Sequence, residues 1–234
     1  MPTRRRAAGL LAALCAAVVA AAGCSGGSGG GAHPQGGRTT GPVVYPGSSG
    51  NPGNKEFDTR RLRAATLGPA DLTGYERGDH AYDLRGGCLE QVIGFLFGDL
   101  GDVTAQTETS LVNTSTAGAV QQRMRSYKGD AAAQHFDQAA KAAPGCATLI
   151  GRAKDGARTE FSVKPLVMPK YGEQMLSLRI VGVSPNVAGQ EVNLVIVRVE
   201  NVVEKLDDMN TRGVSVDHTT QLTQTAVTKL RTAA

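Results

Sequence analysis

The stretch Gln174-Met175-Leu176-Ser177-Leu178-Arg179-Ile180-Val181-Gly182-Val183, followed by Val192 to Val199 and Val202 to Leu206, decides the fold. These runs are rich in the branched and long apolar residues that pack well on a pleated surface, and they are bounded by turn formers. Pro185-Asn186 and Gly189-Gln190 separate the first run from the second. Only Glu200-Asn201 lies between the second and third, which reads as a tight hairpin, with one long bent strand from Val192 to Leu206 as the alternative. Thr159 to Leu166 adds another segment of period two just upstream. Connections this short join antiparallel strands, because a parallel crossover needs a dozen or more residues.

Outward from this core, the patterns alternate between sheet and helix. Cys88, Leu89, Val92, Ile93, Leu96 and Phe97 recur at helical intervals, and Gly98 stands where that helix would end. Val103 to Leu111 alternates like a strand; Ala117-Gly118 would turn the chain into Val120 to Tyr127, which fits either a strand or a helix. Asp130 is placed to cap an alanine-rich helix over Ala131 to Ala143, stopped by Pro144-Gly145. Asp217 is placed to cap a last helix, which carries Leu222, Ala226, Val227 and Leu230 along one face. Arg60 to Ala65 suits a short helical lead-in. The expected fold class is α+β: one domain, an antiparallel β-sheet with helices packed mainly on one face.

The N-terminus has a different composition. Arg4-Arg5-Arg6 precedes an uncharged, alanine- and leucine-rich run from Ala7 to Ala22, closed by Ala22-Gly23-Cys24-Ser25. Basic region, short apolar region and small residues at a cut site are the parts of a secretory signal. A cysteine directly after Ala-Gly resembles the bacterial lipobox, in which the thiol accepts a diacylglycerol and cleavage leaves the lipidated Cys24 first; Ala21 stands where leucine is commonest. The expected organisation is therefore a signal over 1–23, a tether over 24–56 dense in Gly, Ser and Pro, and a folded domain over 57–234. Within the tether Val43-Val44-Tyr45 is the one apolar cluster, read as incidental.

Charge and cysteines sharpen this reading. The net charge of +4 includes the three arginines of the signal; without them 22 basic residues face 21 acidic ones. A chain so balanced lacks the basic footprint that nucleic-acid binding requires. Cys15 would leave with the signal and Cys24 would carry lipid, so Cys88 and Cys146 remain as an even pair in a chain sent to an oxidising exterior. Joined, they would close a loop of about 59 residues, worth roughly 4 kcal/mol by chain entropy. Two free thiols or a metal site are the alternatives, although His80 and His135 form no ligand pattern with them.

No catalytic signature is present: no Gly-x-Ser-x-Gly, no phosphate loop, no His-Glu-x-x-His and no Cys-x-x-Cys. Asp79-His80 and Asp217-His218 are adjacent pairs whose side chains diverge on any regular element, His135 and Asp137 fall on different faces of a helix, and His33 is in the tether. Asp207-Asp208 with Asn210 lacks the glycine and distal glutamate of a calcium loop and reads as a solvated turn after a strand. Asn113-Thr114-Ser115 matches a glycosylation triplet by chance. Phe57, Phe95, Phe97, Phe136 and Phe161, with Met168 and Met175, read as core, or alternatively as the wall of an apolar cleft. The expected catalytic residues, metals and cofactors are none.

Leu67-Gly68-Pro69-Ala70-Asp71-Leu72-Thr73-Gly74-Tyr75 resembles the L-x-x-A-D-L-x-G-Y opening of actinobacterial secreted sensor domains, similar to the extracellular sensors of mycobacterial receptor kinases of the PknH type. Cys88 heading a helix, Pro144-Gly145-Cys146 closing another and Tyr171-Gly172-Glu173-Gln174 before a strand continue the likeness, which spans Leu67 to Arg231. It implies an antiparallel sheet with flanking helices and a cleft for an extracellular ligand. The kinase sensor has two disulfides where one pair is available here, and this chain has a lipid signal in place of a kinase domain and membrane span. The resemblance thus implies a non-catalytic binding module, held at the outer face of the cytoplasmic membrane by lipid on Cys24, for an envelope ligand or membrane receptor. A carrier of lipid or glycolipid between membrane and wall is the alternative.

Overall fold

In the computed structural model, which describes residues 43–45 (backbone alone), 56–79, 87–152 and 156–233, helices interrupt the sheet early in the chain and then give way to an unbroken run of strands. After β1 (Val43–Tyr45) come α1 (Thr59–Ala65), β2 (Glu76–Arg77), α2 (Gly87–Phe97), β3 (Val103–Asn113), β4 (Gly118–Tyr127) and α3 (Ala131–Ala142). Then follow β5 (Thr148–Arg152), β6 (Arg158–Pro165), β7 (Gln174–Gly182), β8 (Glu191–Val199) and β9 (Val202–Asn210), with α4 (Val216–Thr232) last. Neighbouring strands run antiparallel in the order β2-β3-β4-β9-β8-β7-β6-β5. A meander from β5 to β9 is thus closed by β9 pairing with β4, from Ser126↔Val202 to Gly118↔Asn210.

The two open readings resolve through pairing. Val199 faces Val202 directly, so Glu200-Asn201 is a two-residue hairpin loop with Glu200 at φ 52°. Val120 to Tyr127 lies inside a strand because β3 and β9 satisfy its backbone from both sides. β5 is an addition to the expected elements; its glycine and short length hid it. Val43-Val44-Tyr45 is also a strand: it pairs with Ser177, Leu176 and Met175 of β7. β6 covers β7 only as far as Pro165 opposite Leu178. Beyond that point the row of backbone groups on β7 would be bare, and β1 takes it up.

The helices lie on both faces of the sheet, which corrects the expectation of one. Leu62, Leu222, Ala226, Val227 and Leu230, from α1 and α4, pack on Leu111, Val120, Met124, Met175, Val195, Val197 and Leu206. Leu89, Val92, Leu96, Phe136 and Ala139, from α2 and α3, pack on Leu176, Leu178, Ile180, Leu194, Ile196 and Val203. The cause is visible in Leu194-Val195-Ile196-Val197: a run apolar at every position needs cover above and below, unlike an alternating one. Phe57, Phe97, Phe136, Phe161, Met168 and Met175 are buried in these clusters, as the core reading expects, and Phe95 packs half-buried against the α2/α3 cluster.

Cys88 and Cys146 are joined, with Cα atoms 5.2 Å apart, tying the first turn of α2 to the segment after α3. Two caps differ from expectation. Asp130 precedes α3 without a side-chain bond to its first turn, and α4 is capped by Ser215, whose hydroxyl accepts from the His218 N–H at 3.4 Å. Asp217 instead stands in the first turn of α4, where its charge suits the helix dipole. Among the described residues no helix is long and apolar enough to cross a membrane.

Candidate functional site

Along β9, Val202, Glu204, Leu206 and Asp208 point toward the α1/α4 side, so the alternation carries a carboxylate to the end of the strand. Asp207 and Asp208 are both buried in β9, not in a solvated turn; the strand continues to Asn210 because β4 and β8 pair with it that far. The chain then turns through Gly213, at φ 96°, into the Ser215 cap of α4. This return brings His218 and Thr219 onto Asp208. Its Oδ2 meets His218 Nδ1 at 2.9 Å and accepts from Thr219 Oγ1 at 2.7 Å, while Asn193 Nδ2 donates to that same hydroxyl at 2.8 Å. The bond to Asp208 holds a proton on His218 and raises its pKa above the ordinary 6.5, against the opposing effect of burial.

Tyr75 is delivered by the Leu67–Tyr75 segment. Leu67 N–H donates to Gln122 Oε1 at 2.7 Å, and Asp71 Oδ2 accepts from Gly68 N–H at 2.7 Å and from Lys229 Nζ at 2.6 Å. Gly74, at φ 80°, makes the turn that a side chain would strain. The Tyr75 ring then stacks on His218, centroids 6.0 Å apart and planes 14° apart. A β-carbon on Gly118 would sit 2.9 Å from Tyr75 Oη, so the bare backbone there leaves room for the phenol. Burial, and secondarily the Asp208 charge, push the Tyr75 pKa up. Asn113, at the end of β3, accepts through Oδ1 from the N–H of Ser115 and of Thr116 and from the Ser115 hydroxyl. Thr73, Tyr75, Asn113, Thr116, Asp208 and His218 are among the residues that line the resulting open groove, of about 320 Å³.

This arrangement offers hydrogen bonds around an aromatic pair. Ser215, at the same rim, accepts from the backbone N–H of His218. Other histidines are engaged elsewhere or lie out of view. His135 Nε2 contacts Asp102 Oδ2 at 2.7 Å rather than Asp137, which accepts from Gln174 Nε2 at 2.7 Å. His135 belongs to α3 and His218 to α4, on opposite faces of the sheet. Cys24, His33 and His80 fall outside the described residues. Among the described residues no three His, Cys, Asp or Glu side chains gather as a metal site would require.

The sequence reading missed the groove because its members are far apart in the chain. Continuing the even-numbered series Val202, Glu204, Leu206 by one step would have placed Asp208 on the same face as α4. Tyr75 stood in plain view as the last residue of the quoted motif.

The sheet order, with helix pairs on both faces and one disulfide, defines a single α+β domain. Among solved structures the chain is similar to the extracellular domain of PknH from Mycobacterium tuberculosis, with a TM-score of 0.57 and 14% identity, over 77% of this chain and 100% of that one. At that identity it is the fold that the two share. No family model and no curated protein matches the chain.

Proposed function

We propose that this chain is a lipid-anchored, extracytoplasmic, sensor-like lipoprotein, a non-catalytic module that binds a ligand or partner in the groove between Tyr75, Asn113 and His218. The observation that carries the binding role is that groove: polar groups from β3, β9, α4 and the Leu67–Tyr75 segment converge on one open space and keep bonding capacity toward it. The shared fold with a receptor's extracellular domain supports the sensing role, and the Arg4-to-Cys24 signal supports the anchor at the outer face of the cytoplasmic membrane. The alternative, a lipid or glycolipid carrier, calls for an apolar chamber between sheet and helices; on each face of the sheet that space holds a cluster of buried side chains.

Two measurements test the two halves. Cys24→Ala should move the protein from the membrane to the soluble fraction; unchanged partition in a fractionation blot would refute the anchor. In NMR spectra of the protein, a soluble fraction of the envelope of the producing cell should shift the Tyr75 and His218 resonances. A spectrum unmoved anywhere on the domain would remove the binding role.

A further inference from the structure

The groove holds polar groups whose capacity the protein itself leaves unused. Asn113 is only 8% exposed, and its Oδ1 is occupied by three donors, yet its Nδ2 has no acceptor among the described residues. Tyr75 Oη and His218 Nε2, also at the groove, have no hydrogen-bond partner among the described residues either. The Asn113 amide is held rigidly, and its free donor end opens onto the groove, where water or a ligand can accept from it. These groups come from three separate elements and are fixed before any ligand arrives: Asn113 by its three accepted bonds, Tyr75 by Gly74 and Gly118, His218 by Asp208.

The chemistry of the walls selects among ligand classes. Asp208 and His218 form a pair, so the groove favours neither sign of charge: an anion would meet the carboxylate, a cation the imidazole proton. A hydrocarbon chain would strand an amide, a phenol and an imidazole against apolar surface. Thr73 and Thr116 add hydroxyls at the exposed rim. What matches all of these is a neutral molecule dense in groups that both donate and accept. The volume, about 320 Å³, lies at the small end for ligand sites. We infer that the groove binds one neutral sugar unit, with Asn113 Nδ2 donating to a ring hydroxyl, Tyr75 Oη bridging as donor and acceptor, and His218 Nε2 closing the set. This rests on the binding role proposed above and names its ligand class. The open mouth lets the rest of a longer glycan run into solvent.

The test uses the full chain and NMR titration with six probes at equal concentrations: glucose, galactose, arabinose and N-acetylglucosamine as neutral sugars, glucuronate as an anion and glucosamine as a cation. At least one neutral sugar should shift the Tyr75 and His218 resonances saturably, and more strongly than either charged probe. Asn113→Asp keeps the oxygen that the turn needs and removes the free donor, so it should weaken that binding tenfold or more with an unchanged melting temperature. Tyr75→Phe should weaken it severalfold. If only glucuronate or glucosamine binds, or if Asn113→Asp leaves neutral-sugar affinity intact, the inference is overturned while the groove keeps its role. If no probe shifts the groove but the envelope fraction does, the sugar class is wrong and the binding role stands. If neither does, both fall.

Discussion

The two faces of the sheet are covered by the same number of α-helices among the described residues but are built on different terms. Under α2 and α3 the buried polar side chains of the sheet, Gln174, Arg198 and Asp207, stand beside an apolar patch, with Gln174 bonded to Asp137 of α3, and the helices are fastened by Cys88–Cys146. Under α1 and α4 a line of buried polar side chains, Ser126, Gln122, Glu204, Asn193 and Thr219, runs through the apolar packing. The difference follows from what crosses each face. The irregular chain around α1 brings backbone N–H groups into the interior, and each needs an acceptor. Phe57 N–H donates to Ser126 Oγ at 3.0 Å and Leu67 N–H to Gln122 Oε1. Polar residues in β4 are therefore the counterpart of an irregular segment laid over them, and the groove lies where that segment meets the end of β9.

The largest expected effect breaks the first face. Replacing Cys88 and Cys146 together by Ser should cost about 2–5 kcal/mol of stability, the usual loss for a native disulfide closing a long loop. Hydrogen exchange should rise first in α2 and α3, because the bond ties those two helices together. Equal loosening of α4 would show that the faces do not behave as separate units.

A second prediction concerns the polar line. Glu204 is fully buried; Gln122 Nε2 donates to its Oε1, and burial pushes its pKa up from 4.5 to about 7 despite that bond. A pKa raised in the folded state means that the native protein holds a proton the unfolded chain has released. Stability from this group is present below pH 4.5 and is lost as pH rises through about 7. Glu204→Gln should remove that slope and stabilise the protein at pH 8 by about 1–3 kcal/mol, read from urea unfolding at pH 5 and pH 8. A wild-type curve flat between those values would show that the carboxylate is relieved by a route other than protonation.

The acceptor role of β4 gives a third and smaller effect. Ser126→Ala should cost about 1–2 kcal/mol by leaving Phe57 N–H buried without its acceptor. Its signature is faster exchange at Phe57 with α3 unaffected. No change in stability would mean that the segment around α1 is held by its apolar contacts alone.

How far the sequence disclosed these two faces depends on where the information lies. Short turns and period-two runs made β6 to β9 readable, since register and direction follow from local chemistry. The cysteine pair was readable by elimination. The second covered face was implicit in the unbroken run from Leu194 to Val197, yet the same residues also fit a one-sided sheet read loosely. Gln122, Glu204 and Ser126 could not be assigned, because their partners lie tens of residues away and only the fold brings them together. The groove was least legible of all. Asn113 looked like a chance glycosylation triplet and Asp208 like part of a turn, because a long-range return of the chain gives each its meaning.

The smallest effect tests that return. His218 holds its proton through Asp208, so its folded pKa is above the ordinary value. The stability it contributes is complete below about pH 6.5 and fades as pH rises through the raised value, the same direction as for Glu204. With the side chain 35% exposed, solvent screening keeps this contribution under about 1 kcal/mol. Stability alone would therefore mix the two groups, and the slope left in Glu204→Gln belongs to His218. A direct reading separates them: Asp208→Asn should lower the His218 pKa in an NMR titration while Thr219 keeps an amide oxygen to donate to. The groove then loses its proton donor near neutral pH although its walls stay in place. Should His218 titrate unchanged in that variant, its proton is held by something other than β9, and the polar line of the second face ends before it reaches the groove.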